Sequence, residues 1–254
     1  MTAYPSVRLD RLLANLGYGS RREIHGWVRE GSIRLDGQPL VDAGARIQLA
    51  SDLSERLTVR GVRMDPPAPL VLVMNKPEGV VCSHKEPGRS VYELLPARWR
   101  SRTPALSTVG RLDRDTTGLL LITDDGPFLH RVISPRTHAP KRYIASLDAP
   151  IRGDEAAIFA SGELRLEGED RPLAPAQLEV LEPRIARLTL IEGRYHQVRR
   201  MFSALGNRVI SLHRDRIGAL DLPEDLEPGA WRILDAEGRG KVLSSSTDSV
   251  PGVA

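Results

Sequence analysis

A proline-rich stretch, Met64-Asp-Pro-Pro-Ala-Pro69, divides the chain into a short part and a long part. Proline lacks a backbone donor and fixes its own φ, so neither a helix nor a central strand continues easily through such a stretch. We therefore predict a linker at residues 64–69, between a small domain at residues 7–63 and a larger domain at residues 70–240. Residues 1–6 are predicted to be a flexible N-terminus, and the small, polar residues 241–254 a disordered tail.

The small domain is predicted to contain two short helices and a hairpin. Ser6 can cap the first helix, and Ser20-Arg-Arg-Glu23 has the form of a capping box that begins the second. Asp36-Gly37 is a residue pair typical of a tight hairpin turn. A module of this size has only a small core, and several of its outward positions are arginines.

Arginine accounts for 32 of the 36 basic residues, and the formal net charge is +3. The arginines are clustered: residues 184–216 contain eight against two acids, and residues 8–34 contain six against three. Such clusters indicate a polyanionic partner, most simply nucleic acid. A GC-rich genome would enrich arginine without any function, so the composition alone leaves both explanations open.

Cys82 is the only cysteine, which excludes an internal disulfide and metal sites built on paired cysteines. The longest apolar run, at residues 118–123, is strand-sized and too short to cross a membrane as a helix. The N-terminal residues lack the basic and apolar pattern of a signal peptide. We therefore expect a cytoplasmic protein with no membrane partner.

Strand-like runs outnumber helical ones in the larger domain. Strands are predicted at residues 70–74, 80–83, 117–123, 141–147, 176–182, 186–192 and 208–213, and helices near residues 126–133, 153–161 and 195–205. The runs do not alternate regularly as in a βαβ protein. We therefore predict an α+β fold built on a mixed, mostly antiparallel sheet.

Three segments of the larger domain are unusually polar for their apolar surroundings: residues 110–126, 134–143 and 192–202. Asp113 stands directly before a buried strand, where a carboxylate is costly unless a cation accompanies it. Arg199 lies at the margin of an apolar helical stripe, from which its side chain could reach inward. Asp113 and Arg199 could form a catalytic pair, or an ion pair that only joins two segments of the chain. The spacing leaves both possibilities open.

The same segments carry longer motifs that resemble the RsuA branch of the pseudouridine synthases. These motifs are Asn75-Lys-Pro-Glu-Gly-Val-Val-Cys-Ser83, Gly110-Arg-Leu-Asp-Arg-Asp-Thr-Thr-Gly-Leu-Leu-Leu121 and Glu192-Gly-Arg-Tyr-His-Gln-Val-Arg-Arg-Met-Phe202. In the small domain, Arg8-Leu-Asp-Arg-Leu-Leu13 and Gly31-Ser-Ile-Arg-Leu-Asp-Gly37 resemble the S4 RNA-binding domain. The resemblance implies an enzyme that isomerises uridine in RNA to pseudouridine with no cofactor and no metal.

The resemblance also implies roles for individual residues. Asp113 corresponds to the catalytic aspartate, Tyr143 to the ring that stacks on the target base, and Arg199 to the arginine paired with the aspartate. The aspartate would either attack the ribose or remove a ribose proton, and the sequence leaves both open. The implied substrate-binding residues are Asn75, Lys76, Arg111 and Lys141 in the larger domain and Arg8, Arg21 and Arg22 in the smaller one.

Ribosomal RNA is the partner that the resemblance implies. Residues 170–176 and 212–218 resemble the small-subunit enzyme most, so we expect one uridine of 16S rRNA to be flipped out and isomerised, in an assembling small subunit and by a monomeric protein. Two alternatives remain: a 23S rRNA pseudouridine synthase of the same family, and a non-catalytic factor for rRNA binding or ribosome assembly.

Overall fold

The computed structural model describes residues 4–83, 86–134 and 139–244, and the chain divides into two compact units. The first unit consists of Met1–Leu70, Leu95–Ser107 and Thr123–Asp125, and the second of Val71–Leu94, Thr108–Ile122 and Gly126–Ala254. The first unit thus takes in two short segments that the sequence analysis assigned to the larger domain.

The first unit has its own apolar core beneath short helices and strands. Its elements are β1 (Ser6–Arg8), α1 (Leu9–Asn15), α2 (Arg21–Arg29), β2 (Ile33–Leu35), β3 (Gln38–Pro39), β4 (Arg46–Gln48), α3 (Leu53–Arg56), β5 (Leu57–Val59) and β6 (Val62–Arg63), followed later by a 3-10 helix (Ala97–Ser101). The two predicted helices and the hairpin are therefore present, and β1, β4, α3, β5 and β6 are additional elements that were not predicted from the sequence.

Two of the local signals act as predicted. The capping box is formed, with Ser20 Oγ accepting from the Glu23 amide and Glu23 Oε2 accepting from the Ser20 amide at 2.7 Å. The hairpin turns at Asp36 and Gly37, whose φ angles are 50° and 78°, as this turn type requires. The predicted cap at Ser6 is wrong, because Ser6 pairs with Gln48 in a two-stranded sheet and α1 begins three residues later.

The predicted linker is tied into the first unit. Met64 is buried in the core of this unit, and Asp65 accepts two hydrogen bonds from Arg98 at 2.7 and 2.8 Å. Arg98 also lies over the ring of Tyr18, with its Cζ 4.3 Å from the ring centroid. Residues 64 and 65 are therefore part of a packed structure and do not form a free spacer.

The second unit is built on one large sheet. Its strands are β7 (Val71–Lys76), β8 (Ser107–Thr108), β9 (Thr116–Thr123), β10 (Lys141–Leu147), β11 (Gln177–Glu182), β12 (Ile185–Leu190), β13 (Val209–Ile217), β14 (Leu220–Asp221) and β15 (Trp231–Ile233), and its helices are α4 (Gly126–Ile133), α5 (Glu155–Ala160), α6 (Gln197–Ala204), α7 (Ala236–Leu243) and the 3-10 helix Val91–Leu94. The predicted run at 80–83 is not a strand; it contributes only an isolated bridge from Val81 to Ser90.

The strands are ordered β11-β12-β10-β13-β9-β7-β15, with β14 beside β13 and β8 beside β9. Strand β10 pairs antiparallel with both β12 and β13, whereas β13 and β9 run parallel. The predicted α+β fold on a mixed, mostly antiparallel sheet is confirmed. Among the described residues no helix is both long and apolar enough to cross a membrane.

Two apolar clusters hold helices against this sheet. In one, Phe159 of α5 and Phe202 of α6 meet edge to face at 5.3 Å beneath β10 and β12. In the other, α4 and α7 pack on β7 and β9, and Val242 of α7 is fully buried. Helix α7 therefore extends three residues into the predicted disordered tail, which is a correction; residues 245–254 lie outside the described residues.

Gly118 explains how β9 and β13 come so close together. Its φ is 100°, a conformation that side chains rarely adopt, and a Cβ built there would lie 2.2 Å from the Arg214 carbonyl oxygen. A larger residue would strain β9 and push β13 away.

We expect Gly118→Ala to lower the free energy of unfolding by about 1–3 kcal/mol from backbone strain, with the clash adding to this. Denaturant unfolding measures the change. Gly126→Ala is the matched control, because a Cβ at that position meets nothing within 4 Å. Equal stabilities of the two variants would contradict the close approach.

Candidate active site

A cavity of about 190 Å³ opens in the second unit, where the loop before β9, the first residues of β10, the start of α6 and the middle of β13 meet. Its lining includes Asp113, Lys141, Tyr143, His196 and Arg214. Three of the polar segments found in the sequence thus contribute to one site. Of the segment at 134–143, residues 135–138 lie outside the described residues.

Asp113 lies in the turn that leads into β9, where its carbonyl accepts from the Thr116 amide at 3.1 Å. Its side chain is 29% exposed, and Oδ1 lies 3.3 Å from Nε2 of His196. The carboxylate is therefore partly shielded from water yet accessible from the cavity, as a group that reacts with a bound ligand must be.

Lys76 supports this turn from inside the protein. The residue is fully buried, and its Nζ donates to the carbonyl oxygens of Thr116, Pro77 and Arg114 at 2.8, 3.1 and 3.3 Å. Burial lowers the pKa of Lys76. Because the ammonium is enclosed, the prediction that Lys76 binds substrate directly is wrong; the side chain fixes the backbone that carries Asp113.

Asn75 also makes structural contacts. Its Nδ2 donates to the Leu226 carbonyl at 2.8 Å, and its backbone pairs with Ala230 and Gly229. It is not among the residues that line the cavity. The predicted contact of Asn75 with substrate is thus not supported by its position.

Arg199 is placed differently from the prediction. Its Nη2 lies 2.9 Å from Oδ2 of Asp115, and its Nη1 donates to the Val209 carbonyl at 3.1 Å. The guanidinium thus joins α6 to the loop before β9 and to the start of β13. The predicted ion pair between Arg199 and Asp113 is therefore wrong. Arg199 instead pairs with Asp115, and this ion pair has the structural role that the sequence had left open, because it joins two segments of the chain.

Arg214 is the cation that the sequence analysis missed. It lines the cavity and is only 3% exposed. Its Nε donates to the Leu119 carbonyl at 2.8 Å and its Nη1 to the Tyr143 hydroxyl at 3.4 Å, whereas its Nη2 is buried without a hydrogen-bond partner among the described residues. A buried guanidinium in this situation favours an anionic or carbonyl group in the cavity.

Tyr143 stands on β10 opposite Arg214 of β13, and the Arg214 Cζ lies 5.9 Å from the Tyr143 ring centroid. The ring is half-buried and lines the cavity. Arg111 lies at the exposed rim, paired with Glu86. Asp113, Tyr143, Arg111 and Lys141 are therefore brought together as the sequence analysis expected.

His196 takes a strained conformation to reach Asp113. Its φ and ψ are 48° and 34°, in the left-handed region, directly before α6. The neighbouring backbone is held in place: the Arg194 amide donates to Oε1 of Gln197, and Gln197 Nε2 donates to Oε1 of Glu192, both at 2.8 Å. Nothing in the periodicity of the sequence indicated this conformation, since left-handed residues other than glycine leave no regular pattern.

The predicted RNA-binding arginines of the first unit surround a buried carboxylate. Asp10 is fully buried and pairs with Arg8, Arg21 and His25 at 3.0, 2.6 and 3.2 Å. The hydrogen bonds from Arg8 hold the pKa of Asp10 far below its usual range. The exposed parts of Arg8 and Arg21 are thus fixed in direction, and Arg22 lies beside them at a shallow depression that also includes His25 and Arg29.

Chemically, the cavity combines a partly exposed carboxylate, an aromatic ring and a buried guanidinium around a space suited to a small planar ligand. Stacking on Tyr143 would orient such a ligand beside the carboxylate of Asp113. Among the described residues no group of three or more histidine, cysteine, aspartate or glutamate side chains could hold a metal ion.

Comparison with known proteins shows the family to which this chain belongs. A family model described as RNA pseudouridylate synthase matches residues 70–204, which include Asp113, Tyr143 and His196. The chain belongs to the RNA pseudouridylate synthase family. A second model, the S4 domain, matches residues 7–53, in agreement with the helices and hairpin of the first unit.

The full-length relatives extend this assignment. The chain is 43% identical over 234 residues to ribosomal small subunit pseudouridine synthase A of Yersinia pestis, covering 91% of this chain and 96% of that protein. It is 40% identical over 235 residues to the protein of the same name from Escherichia coli K12, covering 91% and 97%. A solved structure titled as a pseudouridylate synthase is 35% identical with a TM-score of 0.65, covering 93% and 99%. The expected family, domain composition and enzyme class are thereby confirmed.

Lys141, which lines the cavity, has an unusually low pKa. Burial, together with the positive charge of Arg214, lowers the pKa of Lys141 to about 8. A lysine is charged below its pKa, so Lys141 loses its charge as the pH rises through about 8, well below the pH at which an ordinary lysine does so. We expect KM for RNA to rise between pH 7 and pH 9, and to stay level in Lys141→Arg.

The control for this measurement is Lys241→Arg, since Lys241 is on α7 and pairs with Glu237. This variant should keep the wild-type rise in KM. A wild-type KM that is independent of pH over this interval would show that the charge of Lys141 does not contribute to RNA binding.

Proposed function

We propose that this chain isomerises one uridine of 16S rRNA to pseudouridine and that Asp113 performs the chemistry. The observation that supports the proposal most is that Asp113, Tyr143 and Arg214 line one cavity. The relatives at 40–43% identity are named as small-subunit pseudouridine synthases. The reaction breaks the N1–C1′ bond and forms a C5–C1′ bond; C5 loses a proton and N1 gains one. Because atoms and electrons balance within the nucleotide, no co-reactant is required.

In this proposal Asp113 either attacks C1′ or removes a ribose proton, and both roles require the ionised carboxylate. Arg214 supplies a positive charge in the wall of the same cavity. Tyr143 provides the surface against which the detached uracil turns without leaving. A cavity of about 190 Å³ holds a base only after it has left the RNA stack, so the target uridine must be flipped out.

The S4 domain is proposed to supply affinity for the folded RNA. The arginines arranged around Asp10, together with Arg22, would contact phosphates and help to offset the few kcal/mol that base flipping costs. Ribosomal RNA of an assembling small subunit, a cytoplasmic location and a monomeric state remain predictions that belong to the same proposal.

The alternatives are separated by a test with purified components. The protein is incubated with 16S or 23S rRNA transcripts whose uridines carry tritium at C5, each transcript both alone and bound to the ribosomal proteins of its subunit. Tritium released to water is counted, since C5 loses its hydrogen when it bonds to C1′. We expect release from 16S rRNA at the level of one uridine per molecule. Release from 23S rRNA alone would favour the large-subunit alternative, and RNA binding without release from either would favour a non-catalytic factor.

A further inference from the structure

Tyr195 leaves a large aromatic ring on the surface of the second unit. The residue is 76% exposed, the most exposed aromatic residue among those described. Its ring stacks on His196 with the centroids 3.9 Å apart and the planes 16° from parallel. One face of the ring is therefore covered by the imidazole, and the apolar surface that remains is not explained by packing within the chain.

The stacked pair connects this ring to the cavity. His196 lines the cavity, and its Nε2 lies 3.3 Å from Oδ1 of Asp113. The imidazole of His196 therefore lies between the carboxylate of Asp113 and the ring of Tyr195. A ligand that enters the cavity as one unit of a longer chain would pass its next unit close to Tyr195.

The position of Tyr195 is fixed before any ligand arrives. Its carbonyl accepts from Arg200 Nη1 at 3.2 Å, and Arg200 is held by Glu169 at 2.8 Å. On the other side, Arg194 pairs with the same Glu169 at 3.2 Å. The backbone of Tyr195 is thus held and its ring is stacked on His196, so binding costs the ring little conformational entropy, which favours its use as a contact surface.

We propose that Tyr195 is a second base-binding site, which stacks on an unpaired base next to the target uridine. The inference rests on the proposed function, because it takes the nucleotide in the cavity to be part of an RNA chain. Flat aromatic surfaces bind bases of every type in single-stranded RNA, since each base has a π face. The site would therefore select an unpaired strand around the target and leave the neighbouring base free to vary.

The site is tested with Tyr195→Ala, Tyr195→Phe and Tyr195→Leu, assayed for pseudouridine formation on 16S rRNA transcripts. We expect Tyr195→Ala to raise KM about tenfold with kcat within twofold of wild type, since stacking contributes to binding and the reacting groups are untouched. Tyr195→Phe keeps a flat ring and should stay within twofold of wild type in KM. Tyr195→Leu keeps apolar volume without a flat face and should resemble Tyr195→Ala.

The matched control is Tyr4→Ala, because Tyr4 is another exposed tyrosine, in the first unit.

A second measurement identifies the stacked base. One set of transcripts lacks the base on the 5′ side of the modified uridine, and a second set lacks the base on its 3′ side. With one of the two sets, the KM values of wild type and Tyr195→Ala should differ by less than twofold. Two results would overturn the inference: a KM for Tyr195→Ala within twofold of wild type, or a loss confined to kcat, which would mean that the ring acts only on His196 and Asp113. If wild type forms no pseudouridine at all, the proposed function fails; an active wild type with an unaffected Tyr195→Ala means that only the stacking site fails.

Discussion

Asp113→Asn is expected to lower the rate of pseudouridine formation by at least about 10³-fold while leaving the fold and the RNA affinity unchanged. The amide is neither a nucleophile nor a useful base, so both possible roles of the carboxylate are lost together. The side chain is partly exposed and its Oδ1 lies 3.3 Å from Nε2 of His196, so its replacement by a residue of equal size changes little in the packing. Single-turnover kinetics with saturating enzyme measure the rate separately from RNA binding.

Asp113→Glu is the companion variant, because it keeps the carboxylate and displaces it by one methylene group. Misplacement of a reacting group by about 1 Å costs on the order of 10²-fold, so this variant should lie between wild type and Asp113→Asn. Activity of Asp113→Asn within tenfold of wild type, with the melting temperature unchanged, would remove Asp113 from the chemistry.

The second large effect is expected at Arg214. Arg214→Met should lower kcat by about 10²–10³-fold, as is typical when a buried charge that stabilises a reacting anion is removed. Arg214→Lys keeps the charge without the planar, two-pronged geometry and should be intermediate.

Arg199→Met is the matched control for Arg214→Met. Arg199 joins α6 to Asp115 and the Val209 carbonyl, so its loss should lower the melting temperature and leave kcat unchanged once the folded fraction is corrected. If Arg199→Met lowered kcat of the folded protein and Arg214→Met did not, the assignment of the two arginines would be reversed. Melting temperatures of all variants show whether loss of folding explains a loss of rate.

Elements with a strong local signal could be predicted from the sequence. The capping box at Ser20 and the turn at Asp36-Gly37 each specify a local structure by their own chemistry, and both are present. The apolar strands β9 and β10 were found because a buried strand requires a continuous or alternating apolar run. By contrast, Ser6 has the residue type of a helix cap, but its pairing with Gln48, distant in sequence, decides its conformation.

The arrangement of arginines in the active site could be predicted only in part. Asp113 and Asp115 are two residues apart in an irregular loop, and no spacing rule determines which of them faces Arg199. Arg214 did carry a signal, since alternation along a strand places it on the same face as the buried Leu212. A charged residue on a buried face requires a partner or a function, so the sequence contains a signal for this buried cation.

The association of residues 95–107 with the first unit had no local signal. It depends on contacts such as Arg98 with Asp65 and Tyr18, which join residues more than 30 positions apart. Composition and proline content indicated where the chain changes character near residue 64, but they could not indicate which later segment returns to pack there.

The most direct test of the central claim is to map pseudouridine in the rRNA of cells that lack this protein and carry either the wild-type gene or the Asp113→Asn variant. We predict that one pseudouridine disappears from 16S rRNA in the deletion strain, that wild type restores it and that Asp113→Asn does not. An unchanged 16S rRNA in the deletion strain, or restoration of the site by Asp113→Asn, would contradict the proposal that this chain isomerises a 16S uridine through Asp113.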